Sequence, residues 1–234
     1  MADLILMNYQ LLPVINRFEI QLGFGEKTIE QICKSKNIDT DFFVEIVNAF
    51  HDENYLPEKH FQNRSLSLII NYLKKSHNYF INVKLQNIEL MINEFVKKCC
   101  SEEVSKIELI KSFFEEYKKE LIIHIDHEDS VVYPYAILLE KVFLYQKKED
   151  LEEFKKYKYN INKYASEHSD VEEKIFDLKN IIIKYIPKTK ETNLCNHILF
   201  DLFELEKDLI NHQRIEEKVL IPNAIKMENK VINN

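Results

Sequence analysis

Glycine and proline are scarce in this chain, which has two glycines, five prolines and no tryptophan among 234 residues. Tight β-turns draw heavily on glycine and proline, so a fold rich in β-hairpins is not expected. Long stretches of Lys, Glu, Leu and Ile, which are favourable in helices, occupy most of the sequence instead. With 45% hydrophobic and 30% charged residues, the composition predicts an all-α globular protein that buries a core.

The sequence also has few features of a membrane, secreted or nucleic-acid-binding protein. No apolar run approaches the roughly 20 residues of a membrane span, and the first residues lack the basic and long apolar stretches of a signal peptide. A formal net charge of -7 does not favour binding to nucleic-acid phosphates. There is no CxxC motif, and the adjacent Cys99–Cys100 pair is a poor disulfide framework. We therefore expect a protein of the reducing cytoplasm without a nucleic-acid or membrane partner.

Two related phrases stand out in the second half of the chain. Residues 124–134 read HIDHEDSVVYP and residues 212–222 read HQRIEEKVLIP. Each phrase opens with a histidine and carries a glutamate four residues later: His124 and Glu128 in the first, His212 and Glu216 in the second. Residues four apart share one face of a helix, whereas the final proline of each phrase is expected to end or kink its helix. The repeat indicates an internal duplication.

Four long amphipathic helices are predicted, because apolar residues recur with a period of about 3.6 residues. The predicted helical stretches are 65–98, 106–145, 149–186 and 192–226. Each stretch has one histidine in line with its apolar residues: His77, His124, His168 and His212. A single such histidine could be a core residue held by a hydrogen bond. Four of them, two with a glutamate one turn later, favour a metal site, because buried ionisable groups are costly unless paired or metal-bound.

The spacing of these histidines indicates that they converge. In an up-down-up-down bundle, residues at one level lie equally far from the turn between their helices. The midpoints between successive histidines fall at Cys100–Ser101, at Gln146 and at Lys190, and each lies in a polar break suited to a turn. About 22 residues at about 1.5 Å each place every histidine about 33 Å from its turn. The sequence therefore predicts a four-helix bundle with four imidazoles at one depth.

The candidate metal ligands are four imidazoles and two carboxylates: His77, His124, Glu128, His168, His212 and Glu216. This set exceeds what one tetrahedral zinc ion requires. It suits two octahedral ions that share carboxylates, as in the metal sites of other helical bundles. We prefer two iron ions, with manganese or zinc as alternatives, and with coordination positions left for an oxo bridge, O2 or NO. Glu172 and His127 stay open as further ligand candidates.

With these motifs, residues 64–228 resemble hemerythrin-like HHE cation-binding domains, and most closely the di-iron proteins of iron–sulfur cluster repair. The resemblance rests on YLKKSH ending at His77, SEH ending at His168, and the two phrases 124–134 and 212–222. It implies that the four histidines are ligands of an oxo-bridged non-haem di-iron centre, bridged also by the two glutamates. Oxygen-carrying hemerythrins have a fifth histidine where this chain has Glu172. On the fourth helix they have HxxxxD, with the Asp five residues after the histidine, where this chain has Glu216 four residues after His212. Both departures favour the repair-type site.

Residues 1–60 resemble the small helical domain that precedes the HHE domain in the repair proteins. Two short helices are predicted here, with Thr28 and either Asp39 or Thr40 as N-caps, and residues 55–64 resemble a linker. The repair proteins usually carry an adjacent cysteine pair just before these helices, whereas this chain reads IQLGFGEKT.

The resemblance implies a role in nitrosative or oxidative stress through O2 or NO chemistry, with damaged iron–sulfur proteins as partners. Two alternatives come from other classes of protein. One is an O2, NO or redox sensor that signals through the N-terminal domain, and the other is an iron- or oxygen-binding protein without turnover. The sequence leaves open whether the protein is an enzyme and whether it is a monomer or a homodimer.

Overall fold

The computed structural model describes residues 1–52, 54–55, 65–98, 104–157, 159–166, 171–186 and 190–232. These residues form helices and no strand, which confirms the predicted all-α class and gives a helical bundle. No described helix is both long and apolar enough to cross a membrane. Both cysteines in the described part, Cys33 and Cys195, are buried and form no disulfide. The chain divides into two compact units.

The N-terminal segment consists of short helices, and the last two of them begin at side-chain caps. They are α1 (Ala2–Met7), a 3-10 turn (Tyr9–Leu11), α2 (Leu12–Arg17), α3 (Ile29–Ser35) and α4 (Thr40–His51). The Thr28 hydroxyl accepts a hydrogen bond from the Gln31 N–H, and the Gln31 side chain accepts one from the Thr28 N–H. The Asp39 carboxylate accepts the Phe42 N–H at the start of α4. The structure thus confirms two short helices here, with Thr28 and Asp39 as their caps.

The longer part of the chain contains the helices α5 (Leu66–Tyr79), α6 (Leu85–Lys98), α7 (Val104–His127), α8 (Tyr133–Tyr145), α9 (Lys148–Lys156), α10 (Ile161–Ser166), α11 (Val171–Tyr185), α12 (Thr192–Ile215) and α13 (Ile221–Ile232). Three π-helical turns join α5 to α6, α7 to α8 and α12 to α13, and they span Phe80–Lys84, Glu128–Val132 and Glu216–Leu220. Three of the four predicted long helical stretches therefore run through a π-helical turn.

The predicted helix over 149–186 is wrong at its start. Helix α9 ends at Lys156, Tyr157 is extended, and α10 begins only at Ile161. The two predicted turns that lie in the described residues do fall between helices. Gln146 has a positive φ of 50° in the break between α8 and α9, and Lys190 lies shortly before α12. The midpoint at Cys100–Ser101 lies outside the described residues.

One unit comprises His77–Pro134 and Ser166–Ile210, and it has its own hydrophobic core. Buried residues of α6, α7, α11 and α12 form this core, among them Ile92, Phe114, Leu178 and Leu202. Each fully buried side chain of this kind contributes about 1.5–3 kcal/mol. An ion pair at 3.1 Å between Lys84 and Asp201 joins the π-helical turn after α5 to α12. Four helical stretches thus pack together in this unit, as the apolar periodicity predicts.

The other unit comprises Met1–Ser76, Tyr135–Ala165 and Asn211–Asn234. Within it, two buried glutamates on later helices cap the beginnings of earlier ones. The Glu140 carboxylate of α8 accepts the Leu66 N–H at 2.6 Å, the Ser67 N–H at 3.0 Å, and the Ser67 hydroxyl. These groups would otherwise have no partner within α5, so Glu140 fixes where the helix that carries His77 begins.

Glu228 on α13 caps the start of α10 in the same way as Glu140 caps the start of α5. Its carboxylate accepts the Ile161 N–H at 3.4 Å and the hydroxyl of Tyr135. Burial raises the pKa of the Tyr135 hydroxyl above its usual value, and the hydrogen bond to the Glu228 carboxylate raises it further. The phenol therefore stays a hydrogen-bond donor that links α8 to α13.

Candidate metal centre

His77, His124 and Glu128 form one part of the candidate site within a single unit. The Nε2 atom of His77 on α5 lies 3.1 Å from Oε2 of Glu128, and Nε2 of His124 on α7 lies 3.0 Å from Oε1 of the same carboxylate. His124 and Glu128 are one turn apart on one helix face, as the H-x3-E spacing predicts. The carboxylate therefore turns each of its two oxygens toward a different imidazole.

Glu128 is held ionised in a buried position. Only 1% of its surface is exposed, and burial by itself acts to raise the pKa of its carboxyl. Hydrogen bonds and favourable charge interactions with His124 and His77 outweigh burial and hold the pKa of Glu128 well below its usual value. An ionised carboxylate with two oxygens available is the form that coordinates a cation.

His212 and Glu216 form the second His–Glu pair. Nε2 of His212, in the last turn of α12, lies 3.7 Å from Oε1 of Glu216, the first residue of the following π-helical turn. Both residues are buried. The pair thus repeats the arrangement of His124 and Glu128, and the duplication in the sequence is a duplication in local structure.

The structure brings four of the six predicted ligands into one buried group. His77, Glu128, His212 and Glu216 each offer a ligand atom, and these atoms all lie within 4.8 Å of one another. Imidazole with carboxylate is a donor set suited to iron, manganese or zinc. The described residues therefore include a His/Glu group that can hold a metal ion.

The other candidate ligands lie outside this group of four or outside the described residues. His124 is half-buried and contacts Glu128 but does not belong to the group of four. His168 lies outside the described residues, and Glu172 lies on α11 with its side chain outside the described part. His127 is half-buried in the last turn of α7. The roles of these residues remain predictions.

The prolines of the duplicated phrases do not end their helices. Instead, a π-helical turn immediately precedes the start of the next helix in both places, with Tyr133 N–H bonded to Glu128 C=O and Ile221 N–H bonded to Glu216 C=O. A proline ring clashes with the carbonyl four residues before it in a regular α-helix. The extra residue of a π-helical turn moves that carbonyl aside, and such turns are frequent at functional sites. Both turns begin at a candidate ligand.

Sequence reasoning missed four residues that support the site. Asp129 and Tyr133 contact His77, and Glu140 and Glu228 cap the helices α5 and α10. A signal for the last two was present, because each follows the glutamate of its phrase by twelve residues. The duplicated unit is therefore longer than the eleven residues that first indicate it.

Comparison with known proteins agrees with this geometry. A family profile described as the hemerythrin HHE cation binding domain matches residues 68–224. Comparison with curated proteins and with solved structures returned no match. The profile covers about two thirds of the chain and includes every candidate ligand from His77 to Glu216. This protein therefore belongs to the hemerythrin HHE cation-binding domain family.

Proposed function

We propose that this chain is a non-haem di-iron protein that binds O2 or NO and acts in the response to nitrosative or oxidative stress, with repair of iron–sulfur clusters as its role. The proposed iron ligands are His77, His124, Glu128, His168, His212 and Glu216. The observation that carries the proposal is the buried group of two imidazoles and two carboxylates within 4.8 Å. Two bound irons would supply redox chemistry and open positions for a diatomic gas.

The donor set supports two ions better than one. His124 adds a third imidazole at 3.0 Å from Glu128, which already exceeds the four donors of a tetrahedral ion when it is counted with the group of four. Both oxygens of Glu128 face imidazoles, so this carboxylate can serve two ions. Burial of His77, Glu128 and Glu216 keeps bulk water away from these donors.

Three parts of the proposal rest on the sequence. Residues 1–60 are proposed as a small helical domain, and residues 64–228 as the di-iron bundle. The repair role is supported by the resemblance of the duplicated phrases, and by Glu172 at the place of the additional histidine of oxygen carriers. A cytoplasmic location is supported by the cysteine pattern.

Exposure of the reduced, iron-loaded protein to NO tests the chemistry. We expect nitrous oxide to be released and the activity of a damaged iron–sulfur enzyme to be restored when that enzyme is added. A His212→Ala variant is the control, and it should release much less nitrous oxide because it lacks one proposed ligand. Uptake of NO without product or reactivation would favour the sensor, and iron retention without NO uptake would favour a storage protein.

A sensor is the second candidate, and one contact favours it. Arg214 lies two residues after His212, and its guanidinium donates hydrogen bonds to three carbonyl oxygens near the end of α4: Ala49 at 3.0 Å, Tyr55 at 3.2 Å and Asp52 at 3.4 Å. All these residues belong to one compact unit. A shift of His212 on metal or gas binding would therefore act directly on the C-terminal end of α4.

Hydrogen exchange measures this connection. Metal loading of the wild type is expected to slow amide exchange in the last turn of α4, because a fixed His212 fixes Arg214. An Arg214→Met variant should lose that difference, whereas Lys218→Met, which removes an exposed cation from the same stretch, should keep it. If the metal-dependent difference persists in Arg214→Met, the sensor has no support from this contact.

A further inference from the structure

His77 is held from two sides by residues outside the proposed ligand set. Its Nδ1 atom lies 3.2 Å from Oδ1 of Asp129. The ring of Tyr133 stacks on the imidazole at a centroid distance of 5.4 Å and an interplanar angle of 10°, and its hydroxyl lies 3.4 Å from Nε2. His77 and Tyr133 are both buried, and all these contacts lie within one unit.

These contacts select one orientation of the imidazole. The Nε2 atom faces Glu128 at 3.1 Å, and the Nδ1 atom on the other side of the ring faces Asp129. When a metal takes the place of the hydrogen on Nε2, the remaining ring hydrogen lies on Nδ1 beside the Asp129 carboxylate. An outer carboxylate of this kind orients a ligating histidine. The stacked phenol ring opposes rotation of the imidazole, so the donor atom is already directed before a metal arrives.

The second phrase of the duplication has different residues at these two positions. When the phrases are aligned on their glutamates, Glu217 takes the place of Asp129, and Ile221 takes the place of Tyr133. The Glu217 side chain is exposed and accepts a hydrogen bond from Gln213 at 2.8 Å. Ile221 is buried but has neither an aromatic ring to stack nor a hydroxyl. The two phrases therefore differ at the positions of Asp129 and Tyr133.

We propose that Asp129 and Tyr133 are positioning residues for His77, and that the metal position served by His77 binds its ion more tightly than the second position. The inference rests on the proposed di-iron function and deepens it. A histidine that is already oriented loses less conformational freedom when it coordinates. Loss of an outer partner of this kind typically weakens metal affinity by about 10–100-fold.

Titration of the metal-free full-length protein with Co2+ against a competing chelator tests the inference. The visible absorption of bound Co2+ reports the ligand environment, and the wild type should take up two ions in two steps of different affinity. In Asp129→Ala the tighter step should weaken by about 10–100-fold and its absorption should change. Asp129→Asn should weaken the tighter step less, because the amide keeps the size of the side chain and a polar oxygen beside Nδ1 but not the negative charge.

Matched variants separate positioning from general destabilisation. Glu217→Ala removes the corresponding carboxylate of the second phrase and should leave both steps unchanged. Tyr133→Leu should weaken the tighter step, whereas Tyr133→Phe keeps the stacked ring and should retain most of the affinity. Circular dichroism and thermal melting of the metal-free variants show whether each one is folded. Should Asp129→Ala not fold, the smaller change Asp129→Ser is expected to weaken the same step.

The failures of the two proposals can be told apart. Fewer than two Co2+ ions bound by the wild type would overturn the di-iron function and this inference with it. Two ions bound with equal affinity, or a folded Asp129→Ala variant that titrates like the wild type, would overturn the inference alone. Equal weakening in Asp129→Ala and Glu217→Ala would do the same, because the effect would then reflect charge and not position.

Discussion

Replacement of Glu128 by alanine is expected to cost the protein at least one of two bound irons. Both oxygens of this carboxylate face imidazoles, at 3.1 Å from His77 and 3.0 Å from His124, and its pKa lies well below the usual value. Its removal therefore takes away an anionic donor that both imidazoles share. The loss is measured as the number of irons per chain in protein produced in iron-rich medium.

The thermal melt of the same samples gives a second measure. A ligand present at a thousand times its dissociation constant stabilises the folded state by about 4.1 kcal/mol. Iron-loaded wild type should therefore melt well above its metal-free form, and Glu128→Ala should lose most of that difference. In the metal-free state the two proteins should differ much less.

The neighbouring Glu217 provides the control for charge. Glu217→Ala also removes one negative charge, but from an exposed residue next to Glu216, and it should keep two irons. Full iron retention by Glu128→Ala would remove Glu128 from the site. A colourless wild-type protein with a single zinc ion would contradict the di-iron proposal as a whole.

The constant rise of an α-helix is what allows the sequence to predict a common level for the four histidines. Equal numbers of residues on either side of a turn place two side chains at one level, and the midpoint at Gln146 falls in an observed break with a positive φ. The H-x3-E spacing likewise fixes one helix face. His77, Glu128, His212 and Glu216 lie in one buried group, whereas His124 is not part of it and His168 lies outside the described residues.

The π-helical turns were not predictable from periodicity. A π-helical turn adds one residue to a helix and leaves the apolar pattern on either side nearly intact, so the pattern around Glu128 and Glu216 fits a regular helix with a kink equally well. The prolines at 134 and 222 do signal a disturbance. Whether that disturbance ends the helix or widens it depends on packing, which the sequence pattern does not contain.

Contacts between distant residues were also beyond the sequence. Asp129 could be placed next to a ligand on its helix, but its contact with His77 depends on how α5 lies against α7. The same holds for Glu140, which is 74 residues away from Leu66. The sequence did not predict the break after Lys156, because apolar residues continue with helical spacing from Ile161 onward. The sequence pattern therefore predicts the candidate ligands but not the residues that contact or position them.

Substitution of Glu140 by alanine is expected to lower the free energy of unfolding by about 2–4 kcal/mol. The change leaves the buried Leu66 N–H and the partly buried Ser67 N–H without their acceptor, and each unsatisfied group of this kind costs about 1–3 kcal/mol. It also removes a negative charge from the N-terminal end of α5, where the helix dipole favours one. Urea unfolding followed by circular dichroism measures the effect.

Two further variants of the same kind locate the effect. Glu140→Gln keeps one carbonyl oxygen and should lose only part of the stability, since its amide nitrogen cannot accept the second N–H. Glu149→Ala removes an exposed glutamate from the first turn of α9 and should change the stability by no more than about 0.5 kcal/mol. Equal losses in Glu140→Ala and Glu149→Ala would show that α5 does not depend on this cap. A larger loss in Glu140→Ala, together with weaker Co2+ binding, would instead show that the cap holds His77 at the level of the metal site through the helix that carries it.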